Sequence, residues 1–187
     1  VQERDSRLKM NTFTIKGNWV RNDLEVISLG KGTDSVINGA YLPIGTEHVD
    51  NHTTMDHTCS DGTSSEIYRG VLYGNSTGVF NGKVFVRKDA QKTNAFQQNT
   101  NIVADSGASI NAKPELEIYA DDVKCTHGCT VGQFDLDALF YIKSRGIDEK
   151  NAKALLVKAL LNDVLSCVLC SELRDEIMRL YTERHEW

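Results

Sequence analysis

The chain has no run of about 18 apolar residues and no apolar core in its opening stretch, Val1-Gln-Glu-Arg-Asp-Ser-Arg7. Membrane spanning and export therefore find no support in it. It also lacks an excess of positive charge. Lys and Arg number 21 against 26 Asp and Glu, giving a formal net charge of −5 and a pI near 5.5. No basic stripe is left for a phosphate backbone, and nucleic acid is set aside as a partner. A phosphate-cradling loop is missing too. The nearest approach, Gly78-Val-Phe-Asn-Gly82-Lys83-Val84, has the wrong spacing and a valine where a magnesium-binding hydroxyl belongs, so the chain is not expected to hydrolyse ATP by itself. The cysteines, Cys59, Cys125, Cys129, Cys167 and Cys170, are odd in number. Without a secretion signal that favours reduced thiols in a soluble, cytoplasmic protein, and makes the sequons at Asn51 and Asn75 incidental.

What is present divides into two halves with different periods. From about Met10 to Gln133, short alternating runs rich in Ile, Val, Thr, Tyr and Phe are punctuated by Gly, Asn and Asp, the signature of strands. The runs are Leu24 to Leu29, Val36 to Leu42, His48 to His57, Glu66 to Tyr73, Gly78 to Val86, Asn94 to Val103, Ser109 to Tyr119 and Val123 to Val131. They recur every 12 to 16 residues or so, which suggests the rungs of a solenoid and leaves a sandwich or barrel open on pattern alone. Strand-like sequence begins almost at once, as it would in a piece of a longer protein. After Gln133 the period becomes helical. Leu136, Leu139 and Phe140 share one stripe, and Gly146 followed by Asp148 reads as a stop and a new start. Ala152, Leu155, Leu156, Ala159, Leu160 and Val164 form a second stripe, and Leu173, Ile177, Leu180 and Tyr181 a third. The division expected is a β-domain over 1–133 and a small helical domain over 134–187, the helices packing on the end of the β-domain to cover open strand edges.

The stretch Lys113 to Gln133 places Cys125, His127 and Cys129 at alternate positions of a strand, side by side on one face at roughly 6.5 to 7 Å. A closed tetrahedral zinc cage needs four ligands, which one strand cannot supply; shared handling of iron or sulfur suits this row better. A second cluster, His48, Asp50, His52 and His57, reads by itself as a mononuclear metal site of a β-solenoid enzyme. Cys167 and Cys170 form a C-x-x-C without a second ligand pair, which points to buried helix positions. Lys83, Arg87, Lys88 and Lys92 alternate faces among acids, which points to solvated strand edges.

The stretch from Asn81 to Thr93, Gln97-Gln-Asn99, the Lys113 to Gln133 run and Leu139-Phe-Tyr-Ile-Lys-Ser-Arg-Gly146 together resemble the SufD family, subunits of the SufBCD iron–sulfur cluster assembly complex, over roughly Val49 to Leu165. The resemblance implies a mainly β fold, a right-handed parallel β-helix followed by a C-terminal helical domain, with an N-terminal helical domain that the chain lacks. It implies a non-catalytic scaffold that pairs with SufB through the β-helix and with the ATPase SufC through the helices. It further implies a transient cluster within the complex and no tightly bound cofactor on the isolated chain, which could instead form a homodimer. His127 and Cys125 match the family's Lys-Cys-Ser-His-Gly motif, which implies cluster assembly and metal contact for them. Cys129 stands where that motif often has alanine, and no role is implied for it.

Overall fold

Every second residue of Thr77-Gly-Val-Phe-Asn-Gly-Lys-Val-Phe-Val86 is buried, and that alternation, repeated along the chain, sets the fold. The computed structural model describes residues 1–185, so the last two residues of the expected helical domain lie outside the described residues. Nine strands come first: β1 (Arg7–Thr14), β2 (Trp19–Ser28), β3 (Asp34–Tyr41), β4 (His48–His57), β5 (Thr63–Leu72), β6 (Thr77–Val86), β7 (Asn94–Val103), β8 (Ser109–Ile118) and β9 (Lys124–Gly132). Odd strands form one parallel sheet in the order β1-β3-β5-β7-β9, and even strands a second in the order β2-β4-β6-β8. Each coil thus gives one strand to each sheet. Register partners lie 29 residues apart between β2 and β4, as for Asn22 and Asn51, and 31 apart between β5 and β7, as for Glu66 and Gln97. The short sequence repeat was half a coil, and the result is a β-solenoid of about four turns.

The interior is built from columns of in-register side chains. Val26, Met55, Val84 and Leu116 stack in one of them. Polar side chains also bond along the stack, as where Asn22 Nδ2 donates to Asn51 Oδ1 at 2.9 Å. Tight spots demand glycine: a Cβ on Gly39 would lie 2.1 Å from the Tyr68 ring.

Three helices follow: α1 (Leu136–Ser144), α2 (Glu149–Leu165) and α3 (Ser171–His185). Asp135 caps α1 by accepting from the amides of Asp137 and Ala138, and Asp148 caps α2 through Asn151 N–H. Between them Gly146 takes φ +85°, the left-handed stop expected from the sequence.

The placement of these helices corrects the expectation of an end cap. They lie along the outer face of the odd sheet, where Ala40 of β3 and Val71 of β5 join Phe134, Leu139, Ala152, Val157, Leu161, Leu165, Ile177 and Tyr181 in a second core. Arg69, with a side chain only 5 % exposed, reaches from β5 to Asp163 of α2 at 3.0 Å and donates to Gln98 Oε1 at 2.7 Å. The Tyr181 hydroxyl lies within hydrogen-bond distance of the Thr14 and Ala40 carbonyls, at 3.2 and 3.0 Å. Arg184 pairs with Glu47. The stripes shift accordingly. In α2 the buried set is Ala152, Ala154, Val157, Leu161, Val164 and Leu165, while Leu155 and Ala159 face out. In α1 only Leu139 is buried, with Leu136 and Phe140 exposed. Apolar residues surround α2 on most sides, so the flat sheet rather than the helix's own periodicity selects the face. Cys167 and Cys170 fall in the α2–α3 connection, half-buried and exposed respectively, not within a buried helix. No helix among the described residues is long and apolar enough to cross a membrane.

Candidate functional site

β9 is the last strand of the odd sheet, hydrogen-bonded to β7 on one side, and no described strand pairs with its other edge. β8 ends the even sheet in the same way. The interior of the solenoid therefore opens at this end. Most of β9 is solvent-exposed, although the inward positions one coil earlier, Ala95, Gln97, Asn99 and Asn101, are buried.

Register fixes what lies at the opening. Cys125 stands over Ala95, His127 over Gln97 and Cys129 over Asn99, each about 4.8 Å above its partner, the spacing of neighbouring strands. The row read from the alternation of the sequence thus forms one inward-directed line at the mouth. Beneath it Gln97, Asn99 and Asn101 make a buried polar floor. Asn101 Nδ2 donates to Asn99 Oδ1, and the Tyr41 hydroxyl donates to Asn101 Oδ1, both at 2.5 Å. Cys129 Sγ lies 3.9 Å from Asn99 Oδ1, a weak thiol bond that continues this network to the surface.

Burial raises the Cys125 thiol, with a backbone hydrogen bond at Ala95 partly opposing it, and burial alone raises Cys129. Both sulfurs accordingly favour the protonated form, and iron would have to displace those protons to bind thiolate. His127 is exposed and offers a borderline nitrogen ligand. Three donors on one straight strand cannot surround a single ion, and among the described residues no group of three or more His, Cys, Asp or Glu converges on a metal position. What the row can do is hold one side of iron or sulfur species whose other ligands come from elsewhere.

The second cluster separates, which corrects its reading as a metal centre. His48, Asp50 and His52 lie on the outer face of β4 while His57, of opposite parity, points inward and is fully buried, its Nε2 2.9 Å from Ser64 Oγ. Asp50 is engaged by Arg21 at 3.0 Å and by His52 at 2.8 Å, and His48 stacks on Trp19. Two of the basic residues of β6 and the turn after it are likewise paired: Lys83 with Glu117 at 2.6 Å and Arg87 with Asp56 at 2.7 Å. The polar floor was not recognised as part of the site from the sequence, yet a signal was there. Gln97, Asn99 and Asn101 share the parity of the buried Ala95.

The chain thus falls in the class of parallel β-solenoids, with two thiols and an imidazole in a row on its last described rung. The family model of the SUF system FeS cluster assembly SufBD core domain matches residues 1–160. Over 177 residues, 95 % of the chain, it is 32 % identical to an iron–sulfur cluster assembly SufBD family protein of Synechocystis. Over 96 % of its length it is 29 % identical to the iron–sulfur cluster assembly protein SufD of Escherichia coli, and over 94 % it is 30 % identical to a chloroplastic protein of Arabidopsis thaliana, ABCI7. These matches cover 39 %, 43 % and 37 % of the respective relatives, so the chain spans less than half the length of each. The chain belongs to the SufBD family.

Proposed function

We propose that the protein is a non-catalytic scaffold component of an iron–sulfur cluster assembly complex, pairing through its solenoid with SufB and through its helices with the ATPase SufC. The observation that carries this reading is the uncovered β8–β9 end, with Cys125 and His127 above a buried polar floor. An unpaired edge is a template for another strand, and a related β-helix placed there would supply the ligands that β9 lacks. In this reading Cys125 and His127 contact the nascent cluster, which is cargo and not a resident cofactor. ATP hydrolysis belongs to SufC. The exposed Leu136, Phe140 and Tyr141 of α1 give the helical side an apolar docking face. Without SufB the same edge supports a symmetric homodimer. A cytoplasmic site of action accords with the reduced thiols.

The test is anaerobic purification of the full-length protein with co-expressed SufB and SufC, followed by iron and acid-labile sulfide per complex for wild type and His127→Ala. Loss of most of the cluster with the complex intact is expected. Equal cluster content would return His127 to a structural role, and failure to assemble any complex would refute the scaffold reading.

A further inference from the structure

Glu66 of β5, Gln97 of β7 and His127 of β9 occupy one column of the odd sheet, each in register with the next. The lower two are sealed, with Glu66 3 % and Gln97 0 % exposed. Gln97 Nε2 donates to Glu66 Oε2 at 2.7 Å. The two polar atoms of a planar carboxamide diverge, so a nitrogen committed toward β5 turns the oxygen toward β9. That oxygen, Gln97 Oε1, is buried and accepts no hydrogen bond, an expensive arrangement for a carbonyl in the interior. Space has been kept for the amide. A Cβ on Gly82, in the facing sheet, would come within 2.5 Å of Gln97 Nε2. Burial also pushes the Glu66 carboxyl up, toward its neutral form, with the bonds from Gln97 and Thr53 opposing it.

We infer that Gln97, held in orientation by Glu66, is a positioning residue for His127. It accepts a hydrogen bond from one ring N–H and so directs the lone pair of the other ring nitrogen toward the open end. A turn of the exposed His127 side chain completes the bond, which satisfies the orphaned Gln97 oxygen. Imidazole binds metal through a single deprotonated nitrogen, and the partner of the other nitrogen decides which one is free. The inference rests on the proposed role of His127, but its geometry is testable without any cluster.

The experiment is nitrogen NMR of the full-length protein labelled with ¹⁵N-histidine, with His127 assigned by loss of its signals in His127→Asn and shifts read on the neutral ring. Wild type is expected to show one dominant tautomer at His127. Gln97→Leu should bring the two ring nitrogens back to the mixture of free histidine, and Glu66→Gln, which keeps an acceptor for the Gln97 amide, should retain the single tautomer. A mixed tautomer in wild type would overturn the inference even if Gln97→Leu failed to fold, and an unchanged tautomer in a folded Gln97→Leu protein would do the same. In the SufB–SufC complex, a Gln97→Leu protein that still assembles should carry several-fold less iron and sulfide. Loss of cluster in His127→Ala combined with a free tautomer in wild type would remove the inference and leave the scaffold reading standing.

Discussion

The sharpest expected pH effect comes from His57 inside the solenoid. Burial pushes its imidazole down to about 4 from an ordinary value of 6.5, with the charge of Asp56 opposing. Between those two values the unfolded chain takes up a proton that the folded chain refuses. The contribution is therefore complete above pH 6.5 and is lost as the pH falls toward 4. At about 1.4 kcal/mol per pH unit the gap sets a loss of about 3 kcal/mol. Glu66 acts with the opposite sign: burial raises its carboxyl, so the folded state keeps a proton that the unfolded chain releases above 4.5, and stability falls as pH rises from there. The overlap of the two slopes means that the wild-type curve alone does not report on His57. A comparison with His57→Gln does, because Glu66 is common to both proteins, as is His185, which burial also pushes down to about 4. Glutamine can still reach Ser64, the partner of His57 Nε2 at 2.9 Å. Urea unfolding across the range from about pH 7.5 to 4 should show the stability difference between wild type and variant shifting by about 3 kcal/mol in favour of the variant toward acid. Parallel curves would refute the reasoning and place water or a counter-charge beside His57.

Three further outcomes are expected from the packing. Arg69→Met should cost about 2 to 4 kcal/mol in chemical denaturation, because it strips a buried guanidinium from Gln98, Thr100 and Asp163. Asp163→Ala should cost only about 1 kcal/mol, since its carboxylate is 52 % exposed, and similar losses in the two would contradict that asymmetry. Tyr181→Phe removes the hydroxyl that reaches the Thr14 and Ala40 carbonyls and should lower stability by about 1 to 2 kcal/mol in thermal unfolding; no change in melting would show that water substitutes freely. Gly39→Ala drives a methyl into the Tyr68 ring and should cost about 3 kcal/mol, whereas wild-type stability would mean that the ring can move aside.

Alternation made most of the solenoid legible. The runs His48 to His57 and Asn94 to Val103 coincide with β4 and β7 to the residue, because a parallel sheet buried on its inner face leaves a strict period of two. The same parity separates His57 from His48, Asp50 and His52, and could have dismissed that cluster from sequence alone. The helices were legible as two or three, and the Gly146 stop and Asp148 start between α1 and α2 were legible too. Their resting place was not, because Ala154, Val157 and Leu161 compete with Leu155 and Leu156 for burial and only the shape of the sheet decides between them. At the site, the row Cys125, His127 and Cys129 followed from spacing. The floor beneath it did not, because inward Gln and Asn residues look like a solvated face until the neighbouring coils that satisfy them are in place.

Only Gln133, Phe134 and Asp135 separate the end of β9 from the start of α1, and Phe134 is itself pinned in the core shared with α2. A tether of three residues extends to about 10 Å at most and has almost no slack to surrender. The terminal strand and the helical module are thus mechanically in series. Any displacement of α1 beyond that reach must draw on β9, which is held by β7 on one edge only, so that the rung bearing Cys125, His127 and Cys129 is also where a pull on the helices would first be felt.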